Sequence, residues 1–436
     1  MLTKSQYNFE FEFEGRSFLY NLLTTSLVEL TEDVLSKSIE TPASSLAQSL
    51  VQNGFLINEG LNESLKYGNY FDMARFGIAS RTLKITLLPT YACNLACPYC
   101  YQGQNKRTKK MDATGAERVL HFLEDAAREG RQTDSIDKVA ASLYGGEPMM
   151  DIVGVEFFVR GASAIADAYE LPILFSMTTN LTLLDDKVIA LVREYNIEIQ
   201  VTIDGPKYFH DKRRIYRDGR GTFDDIIKNL QKLCCAGLSH LITIRINIDK
   251  ETIDYAEAAF LAVKDYSSNI YFAVVRHFNG ANDCHKGHCV SDNLYSSFIP
   301  RLNEILAKHG RPVYRQFGKR PPCALVTPNR YYIDCKFDVY GCDCLVNHPE
   351  CKIGTLDKDG RLRVTSFYYE QMAISAARAE KCNGCKWLPA CGGGCPAEQY
   401  INSGRKDGKL ECQCIVDEAS LRDYLIDYIK RKERIS

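Results

Sequence analysis

Between residues 81 and 300 the chain alternates six short apolar runs with stretches of helical length, and few folds accommodate that alternation. The runs cover 83–88, 139–144, 174–178, 197–203, 241–248 and 270–275. Between them lie the helical stretches 114–127, 151–169, 185–195, 222–236 and 252–264. Strands joined through helices form a parallel sheet with helical crossovers. Six such units make an α/β fold and would suit an open, partial (β/α)6 barrel. In such barrels the chemistry sits at the C-terminal ends of the strands. The residues that follow each run are therefore the first candidates for a site.

The first run is ended by Pro89, and the loop after it reads Cys93-Asn94-Leu95-Ala96-Cys97-Pro98-Tyr99-Cys100. Cysteines spaced C-x3-C-x2-C can wrap three thiolates around one face of an iron–sulfur cubane. No cysteine follows until Cys234, so the loop supplies no fourth ligand. A [4Fe–4S] cluster normally takes four cysteines, and three leave one iron open to a small molecule. The alternative is structural zinc. Zinc takes four ligands in a closed tetrahedral set, usually as two separated pairs, which this loop fits poorly. The stretch closely resembles the signature of the radical S-adenosylmethionine (radical AdoMet) enzymes. The resemblance implies that same partial barrel, and that the amino and carboxylate groups of AdoMet chelate the open iron. It further implies that an electron from the cluster splits AdoMet to a 5′-deoxyadenosyl radical, with Tyr99 beside the adenine.

The motifs after the next strands extend the resemblance. Tyr144-Gly145-Gly146-Glu147-Pro148 ends the second run. Glycines let a backbone approach a ligand closely, and Glu147 can accept from an ammonium group. Alone this is a turn; one unit after the cysteine loop it resembles the segment that holds the AdoMet amino group. Thr178-Thr179-Asn180 is similar to the family's segment near the ribose, although Leu181 stands where glycine is usual. Val201-Thr202-Ile203-Asp204-Gly205-Pro206, His210-Asp211-x-x-Arg214 and Asp218-Gly219-x-Gly221-Thr222-Phe223 resemble the sulfatase-maturase and peptide-maturase branch. By that resemblance Thr202 and Arg214 are candidate contacts for the AdoMet carboxylate. The bland alternative for Arg214 is a surface arginine.

Cysteines crowd the chain beyond a proline- and charge-rich linker at 311–322. Cys382-x2-Cys385-x5-Cys391-x3-Cys395 is followed by Cys412 and Cys414, and preceded by Cys323, Cys335, Cys342, Cys344 and Cys351. This resembles the SPASM extension of peptide and sulfatase maturases, with Phe337 at a position the family gives to glycine. The resemblance implies two auxiliary [4Fe–4S] clusters, three clusters in all. One would use Cys382, Cys385, Cys391 and either Cys412 or Cys414. The other would use Cys323, Cys342 and Cys395 with a fourth ligand from Cys284, Cys289, Cys335, Cys344, Cys351 or a substrate thiolate. Zinc ribbons are the alternative for this region. Asp343 stands where sulfatase maturases have a proposed base, and is otherwise a solvated turn aspartate. His285 and His288, between Cys284 and Cys289, form a metal site or a polar surface loop.

Residues 1–75 open with Tyr7, Phe9, Phe11 and Phe13 alternating with Asn8, Glu10, Glu12 and Glu14, the period of a half-buried strand. A turn at Gly15-Arg16, strands at 17–21 and 26–30, and a short strand at 55–57 are expected. So are a helix capped by Thr31 and another started by Thr41-Pro42. Strands followed by helices resemble the small winged-helix-like domains that bind leader peptides through a sheet edge. A cap that only covers the barrel is the alternative. Residues 58–80 read as a polar connector, and 416–431 as a packing helix.

A chain of 436 residues is long enough for more than one core, and three domains are expected: 1–75, 81–310 and 320–436. A net charge of −1 gives no bulk attraction to nucleic acid. The first residues lack the apolar core of a signal peptide, and no run of apolar residues suits a membrane span. Eighteen cysteines in such a chain argue for metal or redox chemistry in a reducing cytoplasm rather than for disulfides. The expectation is a peptide maturase that takes a precursor peptide with its leader and an electron donor such as flavodoxin or ferredoxin. A thioether from a substrate cysteine to carbon is the first expected product, with a carbon–carbon or other crosslink next. The alternatives are an anaerobic sulfatase maturase making formylglycine and a non-catalytic metal-cluster scaffold that binds a peptide.

Overall fold

The computed structural model describes residues 1–31, 33–100, 102, 109–275, 290, 292–312, 320–346, 348–375, 379–403 and 418–433. The chain divides into two compact units. One comprises Met1–Gly77, Val313–Val326 and Ala373–Ser436, the other Ile78–Pro312 and Thr327–Met372. Most of the expected linker, 313–319, lies outside the described residues.

The first unit begins with β1 (Leu2–Lys4), β2 (Asn8–Phe13), β3 (Arg16–Asn21) and β4 (Leu27–Leu30). Strands β2, β3 and β4 form an antiparallel sheet in that order. The alternation in β2 does what its period predicts: Phe9 and Phe11 are buried while Glu10 and Glu12 are exposed. Next come α1 (Val34–Glu40), α2 (Ser45–Gln52) and β5 (Leu56–Asn58), and β5 pairs with β1. Both helix starts differ from expectation. Thr31 gives only its carbonyl to Val34 N, and α1 follows Asp33, whose φ is 63°. Helix α2 starts three residues past Pro42, where the Ser44 side chain accepts from Ala47 N at 3.2 Å. A capping hydroxyl placed next to the helix outcompetes the upstream Thr41-Pro42 pair. The expected connector contains α3 (Glu63–Asp72), capped by Asn62 and burying Tyr67 and Phe71. Only two large apolar residues face inward there, too few to give a clear period.

The second unit is built on β6 (Thr82–Leu88), β7 (Lys138–Leu143), β8 (Ile173–Thr179), β9 (Glu198–Ile203), β10 (Ile242–Ile248) and β11 (Asn269–Val274). All six are parallel to their neighbours. The helices are α4 (Asp112–Gln132), α5 (Ile152–Ala168), α6 (Asp186–Tyr195), α7 (Lys207–Arg213), α8 (Phe223–Cys235), α9 (Ala256–Leu261) and α10 (Asp292–Lys308). Helix α9 is shorter than 252–264 because Ile253–Tyr255 is a 3-10 turn. The sheet does not stop at six strands. β12 (Arg330–Asp334) lies parallel to β6 on its free side, and β13 (Asp338–Tyr340), β14 (Lys352–Leu356) and β15 (Leu362–Val364) continue as an antiparallel meander. The result is one ten-stranded mixed sheet. α11 (Ser366–Ala373) follows.

The two faces of this sheet differ in chemistry because side chains alternate along each strand. Ile85, Leu87, Val139, Ala141, Met177, Ile199, Val201, Ile244 and Ile246 are all fully or nearly fully buried. On the other face, Lys84, Ser142, Ser176, Thr178, Gln200, Thr202, Arg245 and Tyr271 are only half-buried. Polar contacts run between strands on that face: Ser142 to Ser176 at 2.8 Å on neighbouring β7 and β8, and Tyr271 to Gln200 at 3.0 Å from β11 across β10 to β9.

The first unit is completed by α12 (Leu388–Cys391), α13 (Pro396–Ser403) and α14 (Glu418–Glu433). Tyr7, Phe9, Phe11, Phe18 and Tyr20 share one core with Cys382, Leu388, Cys391, Leu421, Leu425 and Ile429. Among the described residues no helix is long and apolar enough to cross a membrane.

Candidate active site

The loop that leaves β6 is held on both sides. The Thr90 hydroxyl accepts from Ala92 N at 3.0 Å and donates to Lys109 O at 2.9 Å. On one side runs the segment after β7: Gly146 N donates to Thr90 O at 3.0 Å and Glu147 N to Ala92 O at 2.9 Å. A Cβ on Gly146 would stand 2.2 Å from Ala92 O, and one on Gly145, at φ +118°, 2.6 Å from Thr90 O. Both glycines are thus required by the close passage of the cysteine loop itself. On the other side, Ala96 N donates to Ile215 O at 2.8 Å, Leu95 bridges to Tyr216, and Arg217 Nε donates to Cys93 O at 3.1 Å.

Cys93, Cys97 and Cys100 are half-buried thiols in this clamp. The Cys93 sulfur accepts from Leu95 N at 3.4 Å and from Asn180 Nδ2 at 3.8 Å. Burial pushes its pKa up to about 11, with the nearby Glu147 carboxylate and the Cys97 and Cys100 thiols acting in the same direction. Three half-buried thiols on one clamped loop, with N–H donors at the Cys93 sulfur, are a donor set that an iron–sulfur cluster fits.

Glu147 is fully buried. Its Oε1 accepts from Thr179 Oγ1 at 2.7 Å and Met149 N at 3.1 Å, and its Oε2 accepts from Asn180 N at 2.7 Å. Burial raises its pKa, and those donors oppose the rise. The carboxylate therefore places Asn180. Asn180 Nδ2 donates to Asn94 Oδ1 at 2.9 Å, and its Oδ1 accepts from Thr182 N and Oγ1 at 3.0 and 2.7 Å. Asn94 closes the ring by donating to Thr182 Oγ1 at 2.7 Å. Leu181 holds φ at 61°, a left-handed conformation that favours glycine, and its carbonyl is pinned by Asn229 Nδ2 at 2.8 Å.

Arg214 follows α7 and reaches the cysteine loop. Its Nη1 donates to Tyr99 Oη at 3.1 Å, and Tyr99 Oη donates to the carboxylate of Asp204 at the end of β9. Asn247 Nδ2 supplies the other Asp204 oxygen at 2.8 Å. Burial works against the charge on Arg214, but Tyr99 and Asp204 hold its pKa above the usual value. Its Nε is buried with no hydrogen-bond partner. An orphaned buried guanidinium N–H suits a ligand carboxylate.

The histidine and aspartate of His210-Asp211-x-x-Arg214 fasten this arginine in place. Burial pushes the His210 pKa down to about 4, so the ring is neutral near pH 7. Its Nδ1 accepts from Asp204 N at 3.3 Å, and Nε2 lies 3.0 Å from Thr222 Oγ1. Thr222 Oγ1 donates to Arg214 O at 2.7 Å. With Nδ1 accepting, Nε2 carries the proton, and the relay runs from ring to hydroxyl to carbonyl. Asp211 Oδ1 accepts from Phe223 N at 2.9 Å, and a Cβ on Gly221 would collide with the Asp211 carboxylate at 2.1 Å. Sequence reasoning saw these motifs as a family mark but assigned no role to Asp204, His210 or Thr222. Their pairing at a distance of six to twelve residues was the available signal.

The structure thus gathers Cys93, Tyr99, Gly145, Gly146, Glu147, Asn180 and Arg214 around one loop. Thr202 is half-buried on β9, paired in register with Arg245 and two residues before Asp204. Asp343 lies between Cys342 and Cys344, and ligand atoms of the three lie within 4.8 Å of one another. Phe337, at the family's glycine position, holds φ at 69°. Cys323, Cys382, Cys385, Cys391 and Cys395 belong to the first unit. Cys382 and Cys391 are buried there, and Cys391 O accepts from Arg320 Nη1 at 3.0 Å. Cys284, His285, His288, Cys289, Cys412 and Cys414 lie outside the described residues.

Comparison with known proteins matches residues 87–262 to the Radical SAM superfamily. A cysteine-type anaerobic sulfatase-maturating enzyme of Clostridium novyi is 22% identical over 347 residues, covering 74% of this chain and 90% of that one. The structure of anSMEcpe with bound AdoMet and the Cp18Cys peptide superposes with a TM-score of 0.58 at 19% identity, covering 81% of this chain and 98% of that one. Streptococcus suis SuiB bound to its precursor peptide SuiA gives a TM-score of 0.54 at 15% identity, covering 95% and 99%. At these identities the structural matches establish a shared fold.

Proposed function

The chain carries a Radical SAM domain and is an enzyme of that superfamily, and from this premise we propose that it is a maturase of a ribosomally made peptide. The observation that carries the reading is Arg214, whose buried, partnerless Nε stands beside the clamped cysteine loop. Cys93, Cys97 and Cys100 would hold a [4Fe–4S] cluster with one iron open to AdoMet. When bound, this pair supplies the 5′-deoxyadenosyl radical that takes a hydrogen atom from a peptide carbon. The chain's own residues do the placing. Arg214, with Thr202 nearby on β9, would receive the AdoMet carboxylate. Asn180, oriented by Glu147, would face the ribose, and Tyr99 the adenine. The two glycines and the Ile215–Tyr216 segment keep the cysteine loop in register with all of them. A closed site matters because an adenosyl radical loose in water would be quenched.

The finer reading follows the family resemblance. A SPASM region would hold two auxiliary clusters. Cys382, Cys385 and Cys391, with Cys412 or Cys414, are the ligands we assign to one. Asp343 would act as a base, and a thioether would be the product. Strand β4 ends its sheet, and such an edge offers backbone donors and acceptors to a leader peptide in extended form. A flavodoxin or ferredoxin would supply the electron, in the cytoplasm. A second reading, an anaerobic sulfatase maturase making formylglycine, is supported by the match spanning 90% of the Clostridium novyi relative.

The test is anaerobic reconstitution, iron and sulfide counting, then dithionite and AdoMet with mass spectrometry for 5′-deoxyadenosine. Iron with 5′-deoxyadenosine formed supports radical chemistry. Zinc in place of iron, with AdoMet untouched, overturns it and leaves a peptide-binding scaffold. Co-expression with candidate precursor peptides then separates a crosslink, which loses two hydrogens and does not react with a hydrazide reagent, from an aldehyde, which does.

A further inference from the structure

Lys84 on β6 and Arg330 on β12 stand opposite each other across the parallel ladder, both half-buried on the polar face of the sheet. Neighbouring like charges repel, and removing them from water adds to the cost. Burial and the adjacent Arg330 push the Lys84 pKa below its usual value, while Asp343 acts in the opposite direction. Arg330 Nε is buried with no hydrogen-bond partner. Among the described residues, the neighbours of the pair along these strands on this face are hydroxyls: Thr86 next along β6, Tyr332 next along β12, and Ser142 opposite Thr86 on β7. The one acid acting on Lys84, Asp343, leaves the two cations with a net positive charge. The buried acids farther along this face are already satisfied. Asp334 accepts from Tyr91 at 2.9 Å and from Lys336 N and Asp338 N, and Asp204 accepts from Asn247 and Tyr99.

Lys84 precedes Leu88, the last residue of β6, by four positions, which is about 13 Å along a strand. The pair is therefore set back from the strand end that carries the cysteine loop and Arg214. We propose that Lys84 and Arg330 form a carboxylate-binding subsite on the polar face of the sheet, which selects peptide substrates carrying a carboxylate near the modified residue. This rests on the maturase reading and specifies its substrate class. The carboxylate comes from an acidic side chain or from the peptide's C-terminus, and the chemistry is the same for both.

The test uses the anaerobically reconstituted full-length protein and calorimetric titration at low salt. The probes are an acetylated, amidated pentapeptide with one glutamate among glycines, its glutamine counterpart, and all-glycine pentapeptides with a free or an amidated C-terminus. The glutamate probe should bind about tenfold tighter than the glutamine probe, the gain expected of a charge-assisted bond. A similar preference for the free C-terminus would identify the terminus as the source. Lys84→Met and Arg330→Met should each abolish the preference, and Lys84→Arg and Arg330→Lys should keep it. Equal binding of charged and uncharged probes by the unmodified protein overturns the subsite, whether or not the variants fold. So does a preference that survives both methionine substitutions. Formation of 5′-deoxyadenosine in the same preparation reports separately on the radical reading.

Discussion

Arg214 donates to the Tyr99 hydroxyl at 3.1 Å, so the residue that leaves α7 and a residue inside the cysteine loop share one half-buried polar contact. Tyr99 passes the connection on to Asp204. Tyr99→Phe should cost about 1–3 kcal/mol, since it leaves a buried acceptor short of a donor. Arg214→Met should cost more, about 3–5 kcal/mol, because the Asp204 carboxylate loses the positive charge that balances it. Urea denaturation of the anaerobic protein measures both. Equilibrium dialysis with AdoMet should show weaker binding in each variant, and more so for Arg214→Met.

The neutral His210 makes the same region sensitive to acid. Its pKa is lowered in the fold to about 4, against about 6.5 for an unfolded histidine. Between those values the unfolded chain binds more protons, so stability falls as pH drops through this window and is fully present above it. The loss attributable to His210 should reach about 3 kcal/mol near pH 4. Comparing the pH dependence of urea midpoints for the native protein and His210→Gln isolates it. The variant should show a flatter curve between pH 6.5 and pH 4.

Gly146→Ala should dislodge the cysteine loop, since the new methyl would sit 2.2 Å from Ala92 O. Something in the backbone must shift, and the thiols shift with it. The expected outcome is loss of AdoMet cleavage and about one cluster's worth of iron. Gly77→Ala serves as the control, because its nearest neighbour is a Met73 side-chain atom at 3.9 Å.

Replacing Cys93, Cys97 and Cys100 together with alanine should remove four irons and leave about eight of about twelve, if auxiliary clusters are present as proposed. The reduced spectrum of the remaining clusters should persist while 5′-deoxyadenosine formation disappears. Retention of cleavage by the triple variant would exclude this loop as the AdoMet site.

The six parallel strands were legible because each is a short run whose one face is wholly apolar. β12 was not: Arg330-Tyr331-Tyr332-Ile333-Asp334 reads as mixed, and its pairing with β6 on one side and β13 on the other makes it a strand. The cysteine loop was legible from spacing alone, but its clamp was not, since Ile215 and Gly146 lie far from it in sequence. Leu181 and Phe337 show another limit. Both stand where the family has glycine, yet both keep the left-handed backbone. Phe337 is held by the Arg118 guanidinium 3.9 Å over its ring, and Gly115 leaves it room. Sequence shows the missing glycine; the compensating contacts appear only in three dimensions.

The shared core of the first unit sets an order of events during synthesis. Phe9, Phe11 and Phe18 emerge from the ribosome hundreds of residues before their partners Leu388, Leu421 and Leu425. The strands can pair by themselves, and Tyr67 and Phe71 of α3 can cover part of their apolar face, but the rest of that core waits for Leu388, Leu421 and Leu425. Cys382 and Cys391 lie in that same late core. If those thiols hold an auxiliary cluster as proposed, loading that cluster and closing the core beneath the N-terminal sheet become one step, and cluster loss should loosen the packing of Phe9 and Phe11.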